Sequence, residues 1–307
     1  MDADSSAQIF DWFGRDHWKG LSCCEEESTL MLFYGVFAGV VAILATVAIE
    51  RLGGRMGGLL ASVPTTIIPA SIGILEQSRS EADFIWAMAI VPFGMLVNAF
   101  FLFLWRWVPP RLPTADLGRR LGMMVCVALS GWALAAGMGL GISALWKAWE
   151  WSPMVLGTLV TLIMVGIGVW ACLARVPAPP GSRTVSLVML ASRGVLAGCC
   201  IVTSIWLSGK GLPLISGIAS VFPAIFLTTM IALWLSQGEA VQAGAVGPLM
   251  LGSASVAVYA LLATMTLPTW GLVWGSVAAW LGSVALVSVP AHAWLQTSAG
   301  AALQDPE

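Results

Sequence analysis

The feature that most constrains this chain is a series of nine apolar runs, each about as long as a bilayer core is thick. A helix needs roughly 20 apolar residues to cross a hydrocarbon layer about 30 Å thick, because each backbone N–H and C=O there must be satisfied within the segment. The runs are Thr29–Ile49, Gly57–Leu75, Phe84–Trp105, Leu121–Leu145, Met154–Arg175, Ser186–Leu207, Leu214–Leu235, Gly244–Met265 and Trp270–Val289. Of 307 residues, 58% are hydrophobic and only 10% are charged. So few charges cannot solvate the surface of a water-soluble globule of this length. The expected fold is an all-α polytopic membrane protein with nine transmembrane helices. A net charge of −2 with no basic stripe excludes nucleic acid as a partner.

The connectors agree with this reading, being short and punctuated by Gly, Pro or charge, as in Glu50–Arg55 and Pro177–Gly181. Trp86, Trp105, Trp107, Trp146, Trp149, Trp151, Trp206, Trp234 and Trp270 lie near run ends, where an aromatic belt anchors a protein in the interface. Nine spans put the termini on opposite sides. Eight basic residues (Arg51, Arg55, Arg106, Arg111, Arg119, Arg120, Arg175 and Arg183) then share the carboxy-terminal side, against five (Arg15, Lys19, Arg79, Lys147 and Lys210) on the other. The positive-inside rule makes the carboxy terminus cytoplasmic, in a plasma or inner membrane. The amino-terminal tail is acidic and aromatic, without a basic n-region, and reads as an interfacial element. Cys23 and Cys24 could be palmitoylated, which would need the opposite orientation. The other cysteines lie inside apolar runs and read as packing residues.

Comparison of the chain with itself reveals an internal repeat. At an offset of 159, Gly35-Val36-Phe37-Ala38-Gly39 falls on Gly194-Val195-Leu196-Ala197-Gly198, Arg51 on Lys210, Gly58 on Gly217 and Pro64 on Pro223. At 158 the match runs on through Ser78 and Ser236, Glu81-Ala82 and Glu239-Ala240, Gly94 and Gly252, and Pro110 and Pro268. Apolar residues coincide by chance in any membrane protein, whereas Gly, Pro and charge in one order do not. Spans one to four correspond to spans six to nine, with span five unpaired. Partners are five spans apart, an odd number, so the halves insert with opposite orientation. This 4+1+4 inverted-topology repeat is a plan used by transporters. It divides the chain into a tail (1–28), a first four-helix repeat (29–145), a linker helix with its loops (146–184), a second repeat (185–290) and a carboxy-terminal tail (291–307).

In the second half, Ser216-Gly217-Ile218-Ala219-Ser220-Val221-Phe222-Pro223, then Ser236-Gln237-Gly238-Glu239-Ala240, then Gly275-Ser276-Val277-Ala278-Ala279-Trp280 occur in an order that resembles the GlpM-like family of small bacterial inner-membrane proteins. That unit has about four spans, and the resemblance covers nearly all of 186–290. The first half resembles it more weakly, through Gly58–Pro64 and Glu81-Ala82. The resemblance implies two such units fused through a linker helix. It also implies a basic residue near the start of the unit's first span, which is Arg193 in the second half and is replaced by Tyr34 in the first. The layout is shared with fused fluoride-channel proteins, but their Thr/Ser/Phe-rich span signature is missing.

Enzyme constellations are absent. His17 and His292 lie in opposite tails, no acidic residue sits mid-span, and no metal-ligand spacing or cofactor motif occurs. What remains is backbone chemistry. Span two holds Gly57, Gly58, Pro64 and Pro69; span seven holds Pro213, Gly217 and Pro223. Proline removes a helical hydrogen bond and frees the carbonyl four residues back. Ser, Thr, water or a bound solute must then take that carbonyl. Ser62, Thr65 and Thr66 stand near one break, and Ser216, Ser220, Thr228 and Thr229 near the other. Broken helices at matching places in inverted halves point to a transporter's central site; the alternative is a packing kink with Ser/Thr back-bonding. Arg193 is the charge deepest inside a run, either snorkelling to the interface or lining a conduit. Asn98 in span three is the other polar candidate, with a neighbouring helix as its expected partner. The GxxxG pairs Gly35/Gly39 and Gly194/Gly198 predict close packing of spans one and six, and Gly271/Gly275 the same for span nine.

The expectation is a transporter or permeation protein for a small molecule or ion, embedded in the lipid bilayer. A non-transport scaffold or assembly factor and a small-ion channel are the alternatives, and a homo-oligomer is compatible with each.

Overall fold

The computed structural model describes residues 24–52, 63–113, 115–173, 187–237 and 239–296. Outside the described residues lie the tail with His17 and Cys23, the positions Gly57, Gly58 and Ser62 of span two, the connector from Arg175 to Arg183, and the end of the chain from 297. The described residues are helical almost throughout, with α1 (Cys24–Leu52), α2 (Ile67–Gln77), α3 (Glu81–Trp107), α4 (Leu117–Ala148), α5 (Pro153–Leu173), α6 (Leu187–Gly209), α7 (Pro213–Ser220), α8 (Ala224–Gln237), α9 (Glu239–Ser283) and α10 (Val289–Gln296). A 3-10 turn follows α3 at Pro109–Arg111, and one π turn, Val284–Ser288, joins α9 to α10. Among the described residues, seven helical segments are long and apolar enough to cross a membrane, and Ile67–Gln77 is a shorter apolar helix. This is an integral, multi-pass, all-α membrane protein.

The last of those segments, Val246–Leu295, has 50 residues. At 1.5 Å per residue a straight helix of that length would reach about 75 Å, more than twice the hydrocarbon thickness. It does not stay straight. Gly271 has φ 76° and ψ 174°, a region closed to side-chain-bearing residues, and the chain folds back there. Thr266 Oγ1 donates to the Gly275 carbonyl at 2.8 Å, and the Gly282 backbone lies against Leu262. Gly271 is therefore the hinge of a hairpin. Its neighbour in the GxxxG pair, Gly275, packs within that same hairpin, which corrects the expectation of a packing pair on span nine.

Close approach of backbones organises the rest. The antiparallel pair α1 and α6 meets at four glycines, Gly35 against Gly198 and Gly39 against Gly194. A Cβ at any of them would come within 2.7–3.2 Å of the facing carbonyl oxygen. Central α3 is the most buried of the long helices and packs on α5, α7 and the first arm of α9. Between α3 and α9 runs α5, whose Gly157 abuts the Ala89 carbonyl and Leu261 and whose Gly168 abuts the Leu251 backbone. Farther along, Gly247 of α9 rests on the Ala171 carbonyl. By contrast α4 is peripheral, with a mostly exposed surface that suits lipid. Its turn to α5 carries the mutually packed Trp146, Trp149 and Trp151.

Trp86 and Trp146 are half-buried, and the other run-end tryptophans form two groups. Trp107, Trp149, Trp151, Trp206 and Trp270 are exposed, as interfacial anchors are. Trp105 and Trp234 are fully buried and pack edge to face, centroids 6.0 Å apart. Those two belong to the core and not to the belt, because α3 and α8 turn these run ends towards each other instead of outward.

Candidate functional site

Span seven is broken where its proline predicts. After Ser220 the chain leaves the helix at Val221, φ −116° and ψ 23°, and re-enters it at Ala224. Proline has no N–H for the Ala219 carbonyl, so the Phe222 N–H takes that carbonyl at 3.1 Å. The Val221 carbonyl is caught from another helix: Asn98 Nδ2 on α3 donates to it at 2.7 Å. In turn, Trp132 Nε1 on α4 donates to Asn98 Oδ1 at 2.8 Å, and the Trp132 ring meets Phe222 edge to face, 5.0 Å between centroids. Two helices, α3 and α4, thus converge on one turn of unwound backbone.

Each half of the broken span is also fastened to α6. On the α7 side, Ser204 and Ser216 each donate a hydroxyl to the other's carbonyl, at 2.9 and 2.8 Å. On the α8 side, Arg193 is 6% exposed and reaches three threonines. Its Nε donates to Thr228 Oγ1 at 3.1 Å, Nη2 to Thr229 Oγ1 at 2.9 Å and Nη1 to Thr46 Oγ1 of α1 at 2.7 Å. Each hydroxyl passes its own proton to a carbonyl of the preceding turn, Thr46 to Ala42, Thr228 to Ala224 and Thr229 to Ile225. The guanidinium points into protein, held between α1, α6 and α8, and does not snorkel to the rim of the bundle.

In the first half, Val63 to Thr66 are non-helical ahead of α2, with Pro64 buried and Thr65 and Thr66 partly buried. Thr66 precedes the helix without capping it through its side chain. Tyr34 of α1 donates its hydroxyl to Glu76 Oε2 in the last turn of α2, at 2.6 Å. Glu76 lies just past span two, and burial raises its carboxyl above the ordinary carboxylate range, opposed by that hydrogen bond. Ser71 of α2 shares a 2.9 Å hydrogen bond with Tyr259 of α9.

The predicted residues therefore form separate groups. Asn98 sits on the break that precedes Pro223. Arg193 joins Thr228 and Thr229 but lies on the far half of the span. Ser216 faces α6, and Ser220 back-bonds to Gly217 at 2.7 Å, the pattern of a packing kink. Pro64, Thr65 and Thr66 stand by the other break, where Ser62 is outside the described residues. Sequence reasoning missed Trp132, Thr46, Ser204 and Tyr259. Trp132 carried a signal, since it falls mid-run where belt anchoring does not apply; the hydroxyls carried none. Comparison with protein-family models, with curated proteins and with solved structures finds no match to this chain.

Proposed function

We propose that this protein is a transporter or permeation protein for a small solute, with nine spans in a 4+1+4 inverted repeat and its site at the broken helices of spans two and seven. The observation that carries the reading is the interruption at Val221–Pro223, where irregular backbone lies at membrane depth inside the bundle. Such backbone occurs in membranes where protein or a water-filled path surrounds it.

Three relations support the inverted plan. Gly35 and Gly39 correspond to Gly194 and Gly198 at an offset of 159, and each meets the counterpart of the other. That reciprocity is what a twofold axis between two units requires. Positions 89 and 247, which the offset of 158 makes equivalent, both lie on α5, against Gly157 and Ala171 on either side of the buried Met164. The hairpin at Gly271 divides the final segment into the two arms that spans eight and nine need. The GlpM-like resemblance adds a fold to this reading and not a substrate. With the carboxy terminus cytoplasmic, the arginines of the α3–α4 link face the cytoplasm.

One observation favours the alternative of a non-transport scaffold: the carbonyl freed at the break is already held by Asn98. Purified protein in liposomes, offered a panel of sugars, polyols, amino acids, halides and alkali cations, separates the two. The transporter reading expects flux of at least one class, weakened by Pro223→Ala and by Arg193→Gln in stably folded protein and partly kept by Arg193→Lys. No flux, with Pro64→Ala and Pro223→Ala behaving as wild type, decides for the scaffold. The topology has its own test. Cysteines placed at Arg79 and Gln237 label from opposite sides of the membrane, and labelling from one side overturns the inverted plan.

A further inference from the structure

The turns at one end of the bundle and the α3–α4 link at the other differ in charge. At the end holding the α2–α3, α4–α5 and α6–α7 turns, Arg79, Lys147 and Lys210 face four acids, Glu76, Glu81, Asp83 and Glu150. At the opposite end, the short link from α3 to α4 places Arg106, Arg111, Arg119 and Arg120 beside a single acid, Asp116. Asp116 is occupied as the cap of α4, its carboxylate accepting the Arg119 backbone N–H at 3.1 Å.

This link is a built ledge. Arg120 lies under it and donates to the carbonyls of Leu112 at 3.3 Å, Pro113 at 3.0 Å and Pro109 at 3.0 Å, so one guanidinium holds the loop in shape. Arg106 turns the other way and donates to the Ala171 carbonyl at the end of α5, at 3.2 Å. The remaining two arginines face outward. Arg111 is exposed, with its guanidinium 3.9 Å above the centre of the Trp107 ring and bonded to the Trp107 carbonyl. Arg119 is exposed in the first turn of α4, two residues after the exposed Leu117. A guanidinium seated over an exposed indole and a second exposed arginine in the first turn of α4 thus flank one short link between two membrane-length helices. An indole seats itself at headgroup level, where phosphate oxygens also lie. Guanidinium binds phosphate through paired, charge-assisted hydrogen bonds.

We propose that the α3–α4 ledge is a binding site for the headgroup of an anionic phospholipid, with Arg111 and Arg119 on the phosphate and Trp107 and Leu117 against the glycerol and upper acyl region. The site is independent of whether the protein moves a solute.

The test uses the full chain, reconstituted in vesicles of phosphatidylcholine containing a minor share of phosphatidylglycerol, then extracted in mild detergent. Bound lipid is quantified by mass spectrometry. Wild type retains phosphatidylglycerol above its share of the bilayer. The pair Arg111→Gln and Arg119→Gln loses that enrichment by about fivefold for each charge removed. A matching pair at the other end, Lys147→Gln and Lys210→Gln, keeps it. Arg111→Lys with Arg119→Lys retains part, because charge survives and the forked geometry does not. Should the Gln pair not run as a monodisperse peak, Arg119→Gln alone is read, with a loss of about fivefold expected. Equal retention of both lipids by wild type, an undiminished enrichment in the Gln variant, or an equal loss in the control pair overturns the proposal. Displacement of the lipid by inorganic phosphate alone assigns the ledge to a soluble anion and overturns it as well.

Discussion

The two halves of the bundle secure their interrupted helices at corresponding positions with unlike chemistry. Tyr34 and Arg193 are equivalent at the offset of 159, and each reaches from the first helix of its half to the far part of the second. Tyr34 does so through one hydrogen bond to Glu76, near the end of the molecule. Arg193 does so through Thr228 and Thr229 and adds Thr46 of α1. The break in span seven has a further hold, Asn98, for which the equivalent position in α9 is Val256. Under the proposed repeat these are equivalent fastenings, and the one in 185–290 has more polar holds than the one in 29–145. The first-half tether includes a carboxyl whose pKa burial raises above its ordinary value.

The comparison breaks most readily at the crossing common to both halves. Gly39 and Gly198 are equivalents, and a Cβ at either would meet a facing carbonyl oxygen at 2.8 and 2.7 Å. Gly39→Ala and Gly198→Ala should each cost about 3 kcal/mol, the upper range for overpacking. Reversible denaturation in detergent would measure both. Unequal losses would mean that the crossing is not a shared axis.

The tethers come next, and here inequality is expected. Arg193→Leu removes three hydrogen bonds from a charged donor, and the threonines keep their own carbonyl acceptors, so the loss should be about 2 kcal/mol. Tyr34→Phe deletes one hydroxyl at a half-buried acceptor and should cost about 1 kcal/mol. The same denaturation experiment ranks them, and a Tyr34 effect equal to or above that of Arg193 would reverse the contrast drawn above.

The smallest effect sharpens the contrast through pH. Burial raises the Glu76 pKa above its ordinary value. The stability linked to that raised value is present below the unfolded pKa and is lost as pH rises through the folded one. Wild type should therefore lose stability relative to Glu76→Gln as pH rises from about 4.5. The corresponding comparison of wild type with Arg193→Leu should stay flat over that window. Thermal unfolding of both pairs across pH checks it, and a flat Glu76→Gln difference removes the titrating tether.

Much of this was legible in the residues themselves. The all-α, multi-pass character followed from run length, because the bilayer demands self-satisfied backbone whatever the neighbours are. The break at Val221–Pro223 followed from proline's missing donor, a local property. The glycine crossing followed from four small residues at equal spacing. What escaped were properties of the neighbours. Asn98 could be expected to bond across to a helix, but its acceptor lies 123 residues away. Nothing in an apolar run marks Thr46 as the acceptor for an arginine on another helix. Trp105 and Trp107 are two residues apart at one run end, yet one is buried and the other exposed, since helical rotation decides which faces lipid. Gly271 was misread because a GxxxG spacing and a hairpin hinge look alike until the backbone angles are known.

That hinge bears on how the protein is made. The turn at Gly271 is tight and carries no charged residue from Leu267 to Gly275. A translocon handling this stretch has no hydrophilic loop to drive across the membrane. The two arms can leave the ribosome and enter the lipid together as one prefolded helical hairpin. The first arm of the hairpin fills the groove against α3 and α5. A chain lacking the residues from Glu239 onward loses that arm and leaves α3 uncovered on the side where α9 lies, so burial of the core requires this hairpin to be in place.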